Sequence, residues 1–241
     1  MSTPRTTVND VKSRALLSGL SAALPIAIGY WPIAMAYGLL GKSLGLSFLH
    51  CVGMSVIVFA GASQFMALNL LAAGVGPWEI VLTTFLVNLR HFLMSASIAP
   101  KVLCSNRGLR ALLAFGVTDE TFAVASIKGG TLTPAYMSGL EILAYASWVT
   151  GSGAGFLVGA ALPDALQASM GIALYAMFIG LFVPAAKKSR KVLILGGSAA
   201  LLNGFLSLFM SGGWPIIAAV ILSSLAAAYA DTEKGGTAAS G

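Results

Sequence analysis

Long apolar runs separated by short polar stretches make up most of the 241-residue chain. The runs are rich in Ala, Leu, Gly and Met and lack the two-residue alternation of barrel strands, which favours α-helices. A run of about 20 apolar residues is long enough to cross a bilayer. The pattern therefore predicts an all-α integral membrane protein, a polytopic helical bundle of about seven or eight transmembrane segments. The predicted segments are Ala15–Leu40, Leu46–Ala73, Pro77–Ala99, Leu109–Ile127, Tyr136–Leu162, Ala165–Ala186, Val192–Met210 and Trp214–Tyr229.

These segments are expected to form one transmembrane domain, 15–230, between a cytoplasmic N-terminal segment, 1–14, and a disordered tail, 231–241. Two groups of three segments show a faint parallel: an irregular helix, a helix rich in small residues, then a helix that opens at proline. An odd number of spans inverts the second group, so the parallel is compatible with a 3+3 inverted repeat. The ranges are 15–105 and 107–191 for the two groups and 192–230 for two further segments.

The composition supports a membrane protein. The chain is 57% hydrophobic and 9% charged, whereas soluble domains carry about 25% charged residues. Its net charge is +6, but the basic residues gather between apolar runs, where they set topology and do not form a nucleic-acid footprint. Cys51 and Cys104 are too few for a disulfide framework or a metal site, and we predict no cofactor.

Proline and small residues predict interrupted helices. Pro25 and Pro32 lie on one helix face and each removes a backbone hydrogen bond, so we expect the first helix to be kinked or broken. Broken spans expose backbone groups that bind substrates, which makes the neighbouring Gly29, Tyr30 and Trp31 pocket candidates; a simple packing kink is the alternative. Further breaks or irregularities are expected near Ala60–Ser63, at Gly116–Thr121 and among the glycines of Gly151–Gly155.

Gln64 lies in the small-residue string of the second segment, near Gly61 and Ser63. A buried amide needs partners for both its donor and its acceptor side. We therefore expect Gln64 to contact a substrate or a polar network, and a simple interhelical hydrogen bond is the alternative.

Polar residues interrupt the third and fourth segments. Arg90, flanked by Asn88 and His91, lies in an apolar helix, where a charge at the bilayer centre costs about 2.5–3.5 kcal/mol and needs a partner. Because Asp119 and Glu120 are adjacent carboxyls at similar depth, we predict that Arg90 pairs with one of them and that the other carries a proton. His91 is a second candidate for proton handling, against the simpler role of a buried bundle histidine. The isolated Glu141 is expected at a helix interface.

Four short motifs carry a family resemblance. They are Pro25 with Gly29-Tyr30-x-Pro32, then Phe59-Ala60-Gly61-Ala62-Ser63-Gln64-Phe65, then Asn88-Leu89-Arg90-His91, and Thr118-Asp119-Glu120 with Phe122. With these motifs the chain resembles the AzlC family, the large subunit of two-component branched-chain amino acid exporters. The resemblance implies export of branched-chain amino acids across a bacterial inner membrane. It also implies a small membrane partner of the AzlD type.

The candidate residues suit an amino acid as substrate. Arg90 or the start of a broken helix can hold its carboxylate, and Asp119, Glu120 or Gln64 its ammonium group. Aromatic and Met side chains are available for its apolar part, namely Tyr30, Trp31, Phe59, Phe65 and Met94. A proton on His91 or on the free carboxyl would compete with the ammonium group and couple efflux to the proton gradient.

Three other classes of protein compete with a carrier. An intramembrane protease is disfavoured because Gly151-Ser152-Gly153 needs a later histidine, and both His50 and His91 precede it. We therefore expect no enzyme. A passive channel, or a scaffold subunit whose partner holds the substrate site, remains the alternative.

Overall fold

The computed structural model describes residues 8–128, 130–163, 189–210 and 213–237, together with individual positions between 165 and 187. The described residues are helical apart from loops, short 3₁₀ turns and one isolated bridge between Val102 and Leu132. The predicted all-α class is confirmed for them. The sixth predicted segment, Ala165–Ala186, lies largely outside the described residues. The helices are α1 (Val8–Ser43), α2 (Phe48–Ile57), α3 (Gly61–Ala72), α4 (Pro77–Ile98), α5 (Arg107–Phe115), α6 (Asp119–Ile127), α7 (Pro134–Val158), α8 (Arg190–Leu206) and α9 (Trp214–Thr237).

Three of the described helices are long and apolar enough to cross a membrane: Asn9–Ser43, Pro77–Lys101 and Pro134–Ala161. Shorter apolar helices occur at Phe48–Ile57 and Trp214–Ala226. The total of seven or eight spans stays a prediction.

Two predicted segments are each split into a pair of short helices. The second segment becomes α2 and α3, with a break at 58–60, and the fourth becomes α5 and α6, with a break at 116–118. Helices of 9 to 12 residues rise about 14–18 Å, roughly half the hydrocarbon thickness. The predicted breaks near Ala60 and at Gly116 are therefore confirmed.

Two other predicted breaks are wrong. Helix α1 runs without interruption through Pro25 and Pro32, where a kink stays a prediction, and α7 runs through Gly151 and Gly155. Packing of α1 along α7 supplies the stabilisation that holds both helices together across these positions. The breaks thus fall in segments two and four, whereas the faint parallel placed them in segments one and four. The inverted repeat stays a prediction.

Glycines bring α1 and α7 close together. At four positions a glycine of one helix faces a backbone carbonyl of the other, so closely that a side-chain carbon would overlap it. The pairs are Gly19 with Tyr136, Gly139 with Leu16, Gly38 with Ser152, and Gly155 with Met35. Small residues allow helix backbones to approach in this way.

The chain divides into two compact units. The first comprises residues 1–68 and 87–173, and the second 69–86 and 174–241. Within the second unit α8 packs on α9, and Glu79 Oε1 accepts a hydrogen bond of 2.8 Å from the Gly213 backbone N–H. Helix α9 extends to Thr237, into the tail that we predicted to be disordered.

The close contact between α1 and α7 predicts a clear effect of Gly155→Ala. The new Cβ would overlap the Met35 carbonyl, and overpacking of this kind costs about 1–3 kcal/mol. We expect a lower thermal unfolding midpoint for the purified protein in detergent. Gly153→Ala is the matched control, because its new Cβ would meet Phe48 at an ordinary 3.7 Å. Equal midpoints for the two variants would show that the helices have room to separate.

Candidate functional site

An ion pair joins α4 to the break between α5 and α6. Arg90 Nη1 lies 3.0 Å from Asp119 Oδ2, and the two side chains are 33% and 24% exposed. The predicted pairing of Arg90 with a carboxylate is confirmed, and Asp119 is the partner. Asp119 is the first residue of α6, where the helix N-terminus stabilises a negative charge.

Tyr30 of α1 holds the second carboxylate. Its hydroxyl group donates a hydrogen bond to Glu120 Oε2 and lies 2.7 Å from Thr118 Oγ1. Because the tyrosine proton goes to Glu120, Thr118 is the donor in the second bond. Thr118 is also the N-cap of α6, in a reciprocal capping box with Thr121. Glu120 Oε1 is enclosed and has no hydrogen-bond partner among the described residues.

The remaining polar residues of α4 lie on either side of Arg90. Asn88 Oδ1 is enclosed without a hydrogen-bond partner in the part of the chain that the structure describes. His91 and Met94 are partly exposed. Ser95 donates a hydrogen bond of 3.2 Å to the Ala114 carbonyl, which ties α4 to α5.

The break between α2 and α3 is built around Phe59. Its φ angle is 44°, a left-handed conformation that costs a residue other than glycine about 1–2 kcal/mol. The ring contacts those of Tyr30, Phe115 and Tyr145, with centroids 6.4, 6.1 and 5.1 Å away. Tyr145 also donates a 2.9 Å hydrogen bond to the Val56 carbonyl, which the end of α2 leaves unpaired. The two breaks therefore meet at one aromatic cluster.

Gln64 is part of a closed ring of buried hydrogen bonds. Trp148 Nε1 donates to Gln64 Oε1, and Gln64 Nε2 donates to Ser55 Oγ, both at 2.9 Å. Ser55 and Ser152 are 2.7 Å apart, and Ser152 donates to the Trp148 carbonyl at 2.8 Å. Gln64 is only 1% exposed. It therefore contacts a polar network, and it supports the site by fixing the Trp148 ring, which packs against Tyr30.

The other predicted pocket residues are distributed over two surroundings. Three of them face the interior. Ser63 donates a hydrogen bond to the Ala60 carbonyl, Gly61 packs on the Trp148 ring, and Phe65 packs on the Tyr37 ring. Exposed positions on α1 are occupied by Pro25, Gly29, Trp31 and Pro32. The structure thus gathers Tyr30, Phe59, Arg90, Asp119 and Glu120, and leaves the outward residues of α1 apart from them.

Sequence reasoning did not include Glu141 or Tyr145 in the site. The Glu141 carboxyl packs on Gly116 at the α5–α6 break, and its side chain is 6% exposed. One available signal was that Glu141 is an acidic residue in an apolar segment that offers no cation. Tyr145 carried no sequence signal, because its contacts with Phe59 and Val56 are long-range.

Potential metal ligands are dispersed. Among the described residues no group of three His, Cys, Asp or Glu side chains is placed to hold a metal ion. Cys51 and Cys104 are separate buried thiols.

Comparison with known proteins identifies the family. Residues 25–162, which include both helix breaks and the ion pair, match the family described as AzlC protein. The chain belongs to the AzlC family. The inner membrane protein YgaZ of Escherichia coli (strain K12) is 32% identical to it over 80% of this chain and 82% of that protein. The family resemblance of the four motifs is therefore confirmed.

Two further relatives of this AzlC chain are also membrane or transport proteins by name. A membrane protein of Archaeoglobus fulgidus is 31% identical over 89% of this chain and 94% of its own length. The branched-chain amino acid transport protein AzlC of Bacillus subtilis (strain 168) is 28% identical over 73% of this chain and 70% of that protein. No solved structure matches the chain.

The bond network around Tyr30 predicts that Tyr30→Phe destabilises the protein. The substitution removes the hydroxyl that Glu120 and Thr118 share, and an unsatisfied buried group costs about 1–3 kcal/mol. We expect a lower thermal unfolding midpoint. Tyr175→Phe, at a tyrosine that is 63% exposed, is the control and should leave the midpoint unchanged. An unchanged midpoint for Tyr30→Phe would contradict a stabilising role of this hydroxyl group.

Proposed function

We propose that this chain is the large subunit of a two-component secondary transporter that exports valine, isoleucine and leucine across a bacterial inner membrane. The observation that carries the proposal is the Arg90–Asp119 ion pair at the start of the half-length helix α6. Family membership supports a transport role, and one relative is named a branched-chain amino acid transport protein.

An ion pair at a helix break suits a zwitterionic substrate. Separating Arg90 from Asp119 would leave two uncompensated charges, which is strongly unfavourable in an apolar surrounding. An amino acid avoids this, because its carboxylate pairs with Arg90 while its ammonium group pairs with Asp119 or Glu120. Asn88 adds an amide beside Arg90. A solute with one charge would leave one member of the pair uncompensated.

The aromatic cluster at the two breaks suits an apolar side chain. The rings of Phe59, Phe115 and Tyr145 lie within 6.1 Å of one another, centroid to centroid. Burial of each additional CH₂ group contributes about 0.8 kcal/mol. A branched side chain on these rings would therefore bind more tightly than that of alanine.

Proton coupling in this proposal uses Glu120 and His91. Glu120 has one oxygen engaged by Tyr30 and one oxygen without a hydrogen-bond partner in the described part of the chain. A proton on Glu120 would displace the substrate ammonium group, so inward proton movement would drive release. His91 is the neighbour of Arg90 and offers a path for the proton.

The partner in this proposal is a small AzlD-type membrane subunit. The family resemblance is its main support. Only 6% of the apolar span of α4 consists of residues buried within the chain, so its surface is available to a partner helix or to lipid. Valine flux with and without the partner tests the requirement for it.

Radiolabelled L-valine counterflow in proteoliposomes containing the partner tests the site. We expect Arg90→Ala to reduce saturable counterflow about tenfold or more, because a lost charge-assisted hydrogen bond costs about 1.5–3 kcal/mol. Arg107→Ala removes an exposed arginine at the start of α5 and should retain wild-type flux. Flux that persists in folded Arg90→Ala would reduce the ion pair to a structural role. A wild type without counterflow would favour a channel.

The proton route is tested by the pH dependence of the same flux. Glu120→Gln and His91→Ala should each weaken the acceleration of net valine efflux by an inward proton gradient. Glu79→Gln and His50→Ala are matched controls, since Glu79 contacts Gly213 and His50 contacts Ser47. Efflux that stays fully pH-coupled in both site variants would overturn this route.

A further inference from the structure

Glu141 is a buried acid that the proposed substrate site does not use. Its side chain is 6% exposed, and Oε1 has no hydrogen-bond partner among the described residues. It lies in α7, within an apolar span of the chain. An ionised carboxylate is very costly in such a place unless a cation or several donors compensate it.

The carboxyl lines a cavity of about 220 Å³ between α5 and α7. The cavity walls are mainly apolar, formed by Leu112, Phe115 and Ile142 among others. Its other polar side chains are Ser138 and Tyr145, and the Tyr145 hydroxyl already donates to the Val56 carbonyl. One water molecule occupies about 30 Å³ in the liquid, so the cavity has room for water once its surroundings admit it.

The position of the carboxyl is set by the glycine at the break. A Cβ atom at Gly116 would lie 2.5 Å from Glu141 Oε2, so a larger residue there would require the carboxyl to shift. Gly116 is the C-cap of α5, where the helix end carries partial negative charge. Asp119 and Glu120 lie at the opposite pole, the positive N-terminus of α6. The same break therefore favours ionised acids on one side and a neutral acid on the other.

Among the described residues, the charged and titratable groups near Glu141 do not compensate it. The described residues that line the cavity include no lysine or histidine, and the titratable neighbour on α7 is Tyr145. From α6, Asp119 is paired with Arg90, and Glu120 accepts from Tyr30 of α1. Arg110 of α5 donates to the Cys104 carbonyl, and α2 contributes Cys51, which lies against Gly41.

We propose that Glu141 is a proton-binding site of this protein. It holds its proton while the carboxyl is packed on Gly116 and releases it when rearrangement of the α5–α6 break admits water or a cation. Reversible protonation needs no other co-reactant: the O–H bond of the acid breaks and the proton passes to water. Its role in coupling rests on the proposed transport function, whereas its protonation does not.

Infrared difference spectroscopy between acidic and alkaline pH tests the protonation directly on the full chain in lipid. We expect a carbonyl band of a protonated carboxylic acid that Glu141→Gln abolishes. Glu79→Gln should keep that band, because the Glu79 carboxylate accepts a hydrogen bond from the Gly213 backbone N–H and lies outside the proposed site. A band of unchanged intensity in Glu141→Gln would overturn the proposal.

Gly116→Ala provides a second variant that retains the acid. Gly116 has a φ angle of −75°, which alanine adopts readily, so the change acts through its Cβ on the carboxyl. We expect the pH midpoint of the Glu141 band to shift, and Gly153→Ala to leave it in place. An unshifted midpoint in Gly116→Ala would contradict control of the proton by the break.

Transport separates this proposal from the proposed function. In Glu141→Gln we expect valine counterflow to continue while net efflux driven by a proton gradient falls about tenfold or more. Loss of the infrared band with unchanged gradient-driven efflux would remove Glu141 from coupling. If the wild type moves no branched-chain amino acid, the proposed function fails, and the infrared band still decides whether Glu141 binds a proton.

Discussion

An arginine inside an apolar helix constrains everything around it, because its charge has to be compensated before the helix can enter a membrane. Arg90 is compensated by Asp119, 3.0 Å away. The fourth apolar segment is interrupted at this point, so the carboxylate stands at the first position of α6. The helix N-terminus and Arg90 therefore stabilise the same negative charge.

An interruption in a membrane helix exposes backbone groups that water cannot reach, and this fold satisfies them with side chains. Thr118 and Thr121 cap the start of α6, and Tyr145 donates a hydrogen bond to the Val56 carbonyl at the end of α2. Tyr30 connects the continuous helix α1 to the cap. The aromatic residues around the breaks thus combine two tasks: they satisfy polar groups and they supply an apolar surface.

The ion pair could be predicted because the sequence shows one arginine and two adjacent carboxyls inside apolar segments, where charges need partners. The break at Gly116 was also accessible, since glycine followed by a threonine cap is a local signal. The supposed breaks at Pro25 and Pro32 were wrong, because packing against α7 outweighs the local cost of proline. The conformation of Phe59 could not be predicted. Its left-handed backbone has no local signature in the sequence and depends on contacts with rings that are distant along the chain.

The glycine contacts between α1 and α7 have a consequence for motion. Each glycine faces one carbonyl, for example Gly38 that of Ser152 and Gly155 that of Met35. Sliding one helix along the other by a single residue, about 1.5 Å, would bring side chains onto those carbonyls. The pair therefore has a fixed register and behaves as a rigid body. The two breaks, where α2 and α5 end and α3 and α6 begin, are the joints at which the rest of the first unit can hinge around this pair.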